Sequence, residues 1–320
     1  MIVPQFWAEG RIRQRINGRQ FTVRRFGWSD ESEQAAQEHA DQRTREAFDR
    51  IVAGEKLERF ERRMAYNGAD GVPIREEIVS RQGDAVVTRN SYGARCLNTP
   101  DVLFADIDLE QKIGRYAGWL ALLVGILVVI FLHSWPLGAG AMLLTRVILG
   151  VAKSMFKLGY PSKQQLERQA RVRIDRFLGE HANWRVRLYR TPAGLRVMAM
   201  HRTFSAREPE VVECFKRLGV DPVYALMCRN QNCFRARVSA KPWRIGIGKH
   251  LRPQPGVWPV AVDKKPVREA WIALYERKAE NFAACRFIGA MGNGAIDPGV
   301  QAVQQWHDDL CRAESKLPIA

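Results

Sequence analysis

Residues 116–145 read YAGWLALLVGILVVIFLHSWPLGAGAMLLT. No Lys, Arg, Asp or Glu interrupts these 30 positions. The densest part, Leu120 to Leu132, is bracketed by Trp119 and Trp135, as interfacial aromatics bracket a bilayer span. About 16 residues at helical rise cover roughly 24 Å, slightly under a hydrocarbon core of about 30 Å. A membrane helix is therefore expected over about residues 115–133. His133-Ser-Trp-Pro-Leu-Gly breaks it. A second apolar stretch, Ala139 to Ala152, carries Arg146 near its middle, where a charge costs roughly 2.5–3.5 kcal/mol on insertion scales. Lys112 and Arg115 precede the run; Lys153, Lys157 and Lys163 follow it. Basic residues at both ends predict a transmembrane hairpin over 113–157, turning at Trp135-Pro136. That places the chain at the inner face of the cell membrane, with its soluble part in the cytoplasm. The competing reading is a hairpin buried in a soluble core; an uncharged run this long is rare in soluble helices.

Outward from this segment the chain reads as a globular, basic protein. Of 320 residues, 46% are apolar, 9% aromatic and 26% charged, which supports a buried core and excludes wholesale disorder. Twenty-five Gly without a period, the lack of sustained heptads and only six Cys exclude collagen-like, coiled-coil and disulfide-knot classes. The net charge is +16, from 50 Lys and Arg against 34 Asp and Glu. Such an excess points to an anionic partner, nucleic acid or an anionic membrane surface. The first ten residues lack a basic region followed by an apolar one, so no signal peptide is expected. The cysteines at 96, 214, 228, 233, 285 and 311 are scattered and read as reduced thiols. Cys228 and Cys233 flank four residues, but no second Cys/His pair at zinc-finger spacing accompanies them; they read as partly buried free thiols.

Residues 1–70 are expected to form a β-hairpin plus helix. Two alternating strands flank Asn17-Gly18, a short-range hairpin signal. Asp30 with Glu33 is the expected N-cap of a helix running to about Ala53 and stopped by Gly54. Residues 71–112 begin an α+β domain with a hairpin about Gln82-Gly83-Asp84 and a strand over Val102–Leu109. The domain resumes over 158–320. Ser162 with Gln165 caps a helix to Leu178, strands flank Thr191-Pro192-Ala193-Gly194, and a short helix stops at Gly219. Phe234–Val238 reads as a strand. Val267, Trp271, Leu274, Phe282 and Cys285 stripe a long helix, and Val300, Val303, Trp306 and Leu310 stripe the last one. The fold class is α+β, a mixed or antiparallel sheet with helices, interrupted by the hairpin. If strands before and after the apolar run share one sheet, both lie on one side of the bilayer.

Two constellations carry chemistry. Asp106 and Asp108 alternate on one strand, so both carboxylates point to one face. A pair of carboxylates at a strand end suits a hard divalent cation, Mg²⁺ or Mn²⁺, shared with phosphates. The plain alternative is a strand end whose acids cap a turn. The second constellation is basic: His181 to Arg252 holds 15 Lys and Arg against 4 acids, a net charge of +11. Arg190 and Arg196 flank a tight turn; Arg235 and Arg237 share a strand face, with Lys241 and Arg244 just beyond. These six are the expected phosphate-binding residues. The same face suits anionic lipid headgroups, at about 1 kcal/mol per basic group. Trp306-His307-Asp308-Asp309 reads as a surface pair, because adjacent helical residues do not share a face.

A strand ending in Asp-x-Asp, a later β-turn-β of the form Tyr-x-Thr-x-x-Gly and then a basic strand resemble the palm of the archaeo-eukaryotic primase-polymerase superfamily, over about residues 74–263. The resemblance implies that Asp106 and Asp108 hold catalytic metal. It also implies that a phosphate-contacting residue follows the glycine turn, where this chain has Arg196 and the family usually His. The third motif, a hydrophobic residue followed by Asp, falls on Val262-Asp263, making Asp263 a third metal ligand. Two functions follow as expectations. One is a membrane-anchored protein whose basic, cytoplasm-facing domain binds a polyanion, nucleic acid or nucleotides, without catalysis. The other is divalent-metal-dependent nucleotidyl transfer through Asp106 and Asp108.

Overall fold

The N-terminal hairpin forms because its alternation gives it one apolar face. Strands β1 (Phe6–Ile16) and β2 (Arg19–Ser29) pair antiparallel from Phe6↔Ser29 to Ile16↔Arg19. Val23 is fully buried, and Ile12, Ile16 and Phe21 join it against Ala47, Phe48 and Ile51 of helix α1 (Glu33–Val52). Ribbon and helix approach closely through two glycines. A Cβ on Gly27 would lie 2.1 Å from the Ala40 nitrogen, and one on Gly10 would lie 2.4 Å from the Ala40 carbonyl oxygen. Ser32 caps α1 by accepting the Ala35 N–H. The expected cap, Asp30, instead accepts the Gln5 N–H, which leaves the neighbouring hydroxyl to cap the helix.

The computed structural model describes residues 3–16, 18–61, 72–109, 122–123, 126–131, 133–156, 162–254, 256 and 258–320. They fall into two units, 1–108 with 172–320, and 109–171. The first unit is α+β, as expected, and besides the ribbon its sheets are two antiparallel four-stranded ones. In the first, β3 (Glu77–Gln82), β4 (Ala85–Arg89), β5 (Arg95–Thr99) and β9 (Phe234–Arg237) lie in chain order. The second has the order β10-β7-β8-β6, built from β6 (Phe104–Asp108), β7 (Arg185–Arg190), β8 (Gly194–Ala199) and β10 (Arg286–Gly292). Strands before and after residues 109–171 thus share one sheet, through the β6–β8 pairing. The Tyr224 hydroxyl ties the two sheets, 3.0 Å from the carbonyl oxygens of both Phe104 and Arg235.

The transmembrane hairpin is not supported. Among the described residues no helix is long and apolar enough to cross a membrane. Much of the first leg, 113–121 with 124, 125 and 132, lies outside the described residues. The second leg is helix α2 (Trp135–Phe156), which begins on Trp-Pro and carries Arg146 at mid-length and Lys153 near its end. Several of its large apolar side chains are exposed, Trp135 by 80% and Leu143 by 65%.

The remaining helices are α3 (Lys163–Glu180), α4 (Pro209–Leu218), α5 (Pro222–Gln231), α6 (Lys265–Ala279) and α7 (Pro298–Cys311). The capping box before α3 is reciprocal: Ser162 N–H donates to Gln165 at 2.6 Å, and Gln165 N–H to the Ser162 hydroxyl at 3.2 Å. The single long helix expected through Cys285 stops instead at Ala279; residues 280–285 form a turn and a bridge, Ala283↔Ile319, and β10 follows. A stripe at helical spacing does not register that Arg286–Gly292 finds an edge to pair with in β7. All six cysteines are free and buried, including Cys228 and Cys233.

Candidate functional site

The face of the ribbon turned away from α1 is basic. Residues 6–29 contain six Arg and a single acid, Glu9. Alternation puts Arg11, Arg13 and Arg15 on this face of β1, opposite Arg24, Thr22 and Gln20 of β2. Arg11, Arg13 and Arg15 are exposed, as is Arg19 at the tip. Glu9 pairs with Arg24 at 3.3 Å. Arg15 Nε donates to the Gly18 carbonyl at 3.2 Å, bracing the turn. A concavity of about 460 Å³ near the tip is lined by Arg13, Gln14, Arg15, Gly18 and Gln20. Arg11 and Arg24 are direct cross-strand neighbours; Glu9 supplies Arg24 with a counter-charge, and the Arg24 guanidinium lies 4.8 Å from the Phe60 ring centroid. From sequence this β-β-α unit reads as a solvated packing element ahead of a DNA-binding one, and phosphate binding is expected later in the chain. The signal available for the ribbon was the Arg11-x-Arg13-x-Arg15 spacing ahead of the Asn17-Gly18 turn.

The residues expected to bind metal and phosphate lie elsewhere in the unit. Asp106 on β6 is the cross-strand partner of Arg196 on β8. The guanidinium grips the carboxylate with two bonds, Nε to Oδ1 at 2.7 Å and Nη2 to Oδ2 at 3.0 Å. Arg196 is 1% exposed. Its Nη1 also donates to the Arg237 carbonyl at 3.0 Å and lies 3.2 Å from His307 Nε2. The position expected to contact phosphate is thus a buried cation holding β6, β8, β9 and α7 together. Arg235 is likewise buried, donating to Glu76 at 2.6 Å. Arg190 is exposed at the end of β7; Arg237, Lys241 and Arg244 are half-buried. Lys241 stands 5.3 Å from the Trp243 ring centroid, and Arg237 keeps Nε and Nη1 without a hydrogen-bond partner among the described residues. Asp108 is exposed, opposite Gly194. Asp263 is exposed on a one-turn helix, Val262–Lys264, ahead of α6.

Among the described residues, one group of three or more side chains has its ligand atoms close enough to share a metal, and it contains none of these acids. It consists of Cys285, His307 and Cys311, all buried, with ligand atoms within 4.8 Å of one another. Cys285 immediately precedes β10, while His307 and Cys311 lie one turn apart on α7. The surface reading of His307 and Asp308 is corrected: His307 is fully buried and Asp308 is 8% exposed. Their side chains meet despite adjacent positions, His307 Nδ1 lying 2.9 Å from Asp308 Oδ1. Asp308 also accepts from Arg187 at 2.7 Å and from Gln304 at 2.5 Å. Burial works against a charge on His307, but the bond to Asp308 and the neighbouring Cys285 outweigh it and hold the imidazole above its ordinary value. The hydrogen bond from Cys311, opposed by burial and assisted by His307, holds the Cys285 thiol well below its ordinary value.

No family model, curated protein or solved structure matches this chain.

Proposed function

We propose that the protein binds nucleic-acid duplex through the basic face of the β1–β2 ribbon, and that it is a binding protein rather than an enzyme. The observation that carries this reading is the row of exposed arginines Arg11, Arg13 and Arg15 along one face of a two-stranded ribbon, with the half-buried Arg24 opposite Arg11. A ribbon of this kind fits the major groove. Eleven residues at strand rise extend roughly 36 Å, about one turn of duplex. Alternate arginines fall about 6.8 Å apart, twice the axial rise of phosphates along one strand. A net charge of +16 supplies long-range attraction. Arg190, Arg237, Lys241 and Arg244 add positive charge elsewhere in the same unit. The bidentate Asp106–Arg196 pair favours binding over nucleotidyl transfer with Mg²⁺ or Mn²⁺ at Asp106, Asp108 and Asp263.

The test is duplex binding measured across a salt series. Arg11→Ala, Arg13→Ala and Arg15→Ala combined are expected to lower the magnitude of the slope of log affinity against log salt by about 2–3, near 0.9 for each phosphate no longer neutralised. An unchanged slope would remove the ribbon from the interface. Divalent-dependent nucleotide turnover lost in Asp108→Ala would restore the enzymatic reading. A second reading, attachment to the inner face of the cell membrane through anionic lipid, is favoured by the exposed Trp135, Leu143, Leu144, Val147 and Ile148 of α2. Co-sedimentation with anionic but not zwitterionic vesicles, lost on Trp135→Ser with Leu143→Ser, would support it.

A further inference from the structure

The geometry points to a metal site of the zinc type at the end of α7, with Cys285 Sγ, His307 Nε2 and Cys311 Sγ as its protein ligands. Thiolate and imidazole donors together suit zinc and not the hard cations. The Cys311 sulfur already lies 3.4 Å from His307 Nε2. Around a tetrahedral zinc, with Zn–S about 2.3 Å and Zn–N about 2.0 Å, neighbouring ligand atoms stand roughly 3.5–3.8 Å apart. The three atoms, within 4.8 Å of one another, need to draw in by an ångström or less.

The surroundings have the features such a site requires. His307 Nδ1 is engaged by Asp308 at 2.9 Å, which fixes the ring and turns Nε2 toward the sulfurs. A carboxylate behind a ligating imidazole is the usual support of a metal-bound histidine. Asp308 is in turn held by Arg187 at 2.7 Å. Charge closes as well: two thiolates balance the ion, Arg196 balances Asp106, and Arg187 balances Asp308. Arg196 Nη1, 3.2 Å from Nε2 in this structure, gives up its place beside the imidazole to the ion and keeps its bonds to Asp106 and Arg237. Three protein ligands leave a fourth position for water or a main-chain oxygen. Because Cys285 precedes β10 and the other two ligands lie on α7, the ion would fasten the last helix to the edge of the second sheet. This inference does not depend on nucleic-acid binding.

The experiment uses the full chain, purified without chelator and analysed by elemental mass spectrometry, then stripped and titrated with Co²⁺. The expected result is close to one zinc per chain, with thiolate-to-cobalt charge-transfer absorption on titration. That absorption is expected to vanish in Cys311→Ser and to survive in Cys214→Ser, a buried thiol on α4 outside the cluster. Asp308→Asn, which leaves the ligands intact, is expected to weaken Co²⁺ binding about 10–100-fold. Where Cys311→Ser fails to fold, the metal content and cobalt spectrum of the unaltered chain still decide. A chain that carries no zinc and gives no thiolate–cobalt band would overturn the site, leaving a buried cluster of hydrogen-bonded cysteine and histidine side chains. A band that persists in Cys285→Ser/Cys311→Ser would also overturn it.

Discussion

Arg196 shows how a residue's chemistry is visible in sequence while its task is not. The Asp-x-Asp strand and the arginine after the glycine turn are both conspicuous, and both suggest ligands. What decides their roles is register: Asp106 and Arg196 are opposite one another in the β6–β8 pair, so the two charges satisfy each other. Asp106→Asn leaves a buried guanidinium without its counter-charge beside a partly exposed amide and is expected to cost about 1–3 kcal/mol of stability, read from denaturant midpoints. Replacing both, Asp106→Leu with Arg196→Met, is expected to recover part of that loss, because an apolar side chain at position 196 leaves no buried charge without its counter-ion. A single variant as stable as the parent would show that the pair contributes little. His307 was missed for a related reason. Helical spacing separates neighbours onto different faces, yet the end of α7 is enclosed on more than one side, and both His307 and Asp308 are buried.

Elements were legible where their local chemistry was complete. The Ser162/Gln165 box, the Gly219 stop and the hairpin about Gly83 all formed as their residues require. β5 and β10 were not legible, because Arg95–Thr99 and Arg286–Gly292 are strands only by virtue of the partners they find. The ribbon against α1 belongs to the first kind in pattern and to the second in packing. Its alternation is evident, but the close approach at Gly10 and Gly27 is not. Gly27→Ala puts a methyl 2.1 Å from the Ala40 nitrogen, where backbone must move. Overpacking of this sort typically costs about 1–3 kcal/mol. The expected outcome is loss of hydrogen-exchange protection across β1, β2 and α1; protection equal to the parent would mean that the helix can retreat.

For the molecule as a whole, the apolar run that dominates the sequence turned out not to define the fold. The ribbon with α1, the two four-stranded sheets, the second half of α3 and α4 to α7 account for the α+β unit, and residues 109–171 form a separate one. Replacing 110–161 by a flexible Gly-Ser linker is therefore expected to leave the sheets and the salt-dependent duplex binding in place. Near-ultraviolet circular dichroism and the same salt series check this; a collapsed spectrum would show that the second unit supports the first. The overall charge foretold an anionic partner, but where the charge is offered depended on burial, which took Arg196 and Arg235 inward and left the ribbon outside.

The way the sheets are threaded bears on how the chain is born. β5 must wait for β9, and β6 for β8, across intervals of roughly ninety to a hundred and forty residues. Among the described residues, the ribbon with α1, the β3–β4–β5 meander and the β7–β8 hairpin can close soon after synthesis. A nascent chain thus holds half-finished edges in water while the greasiest stretch of the sequence emerges beside them. Long-range pairing of this kind slows folding and exposes unpaired strands, so this protein should depend on chaperones during translation more than its modest size suggests.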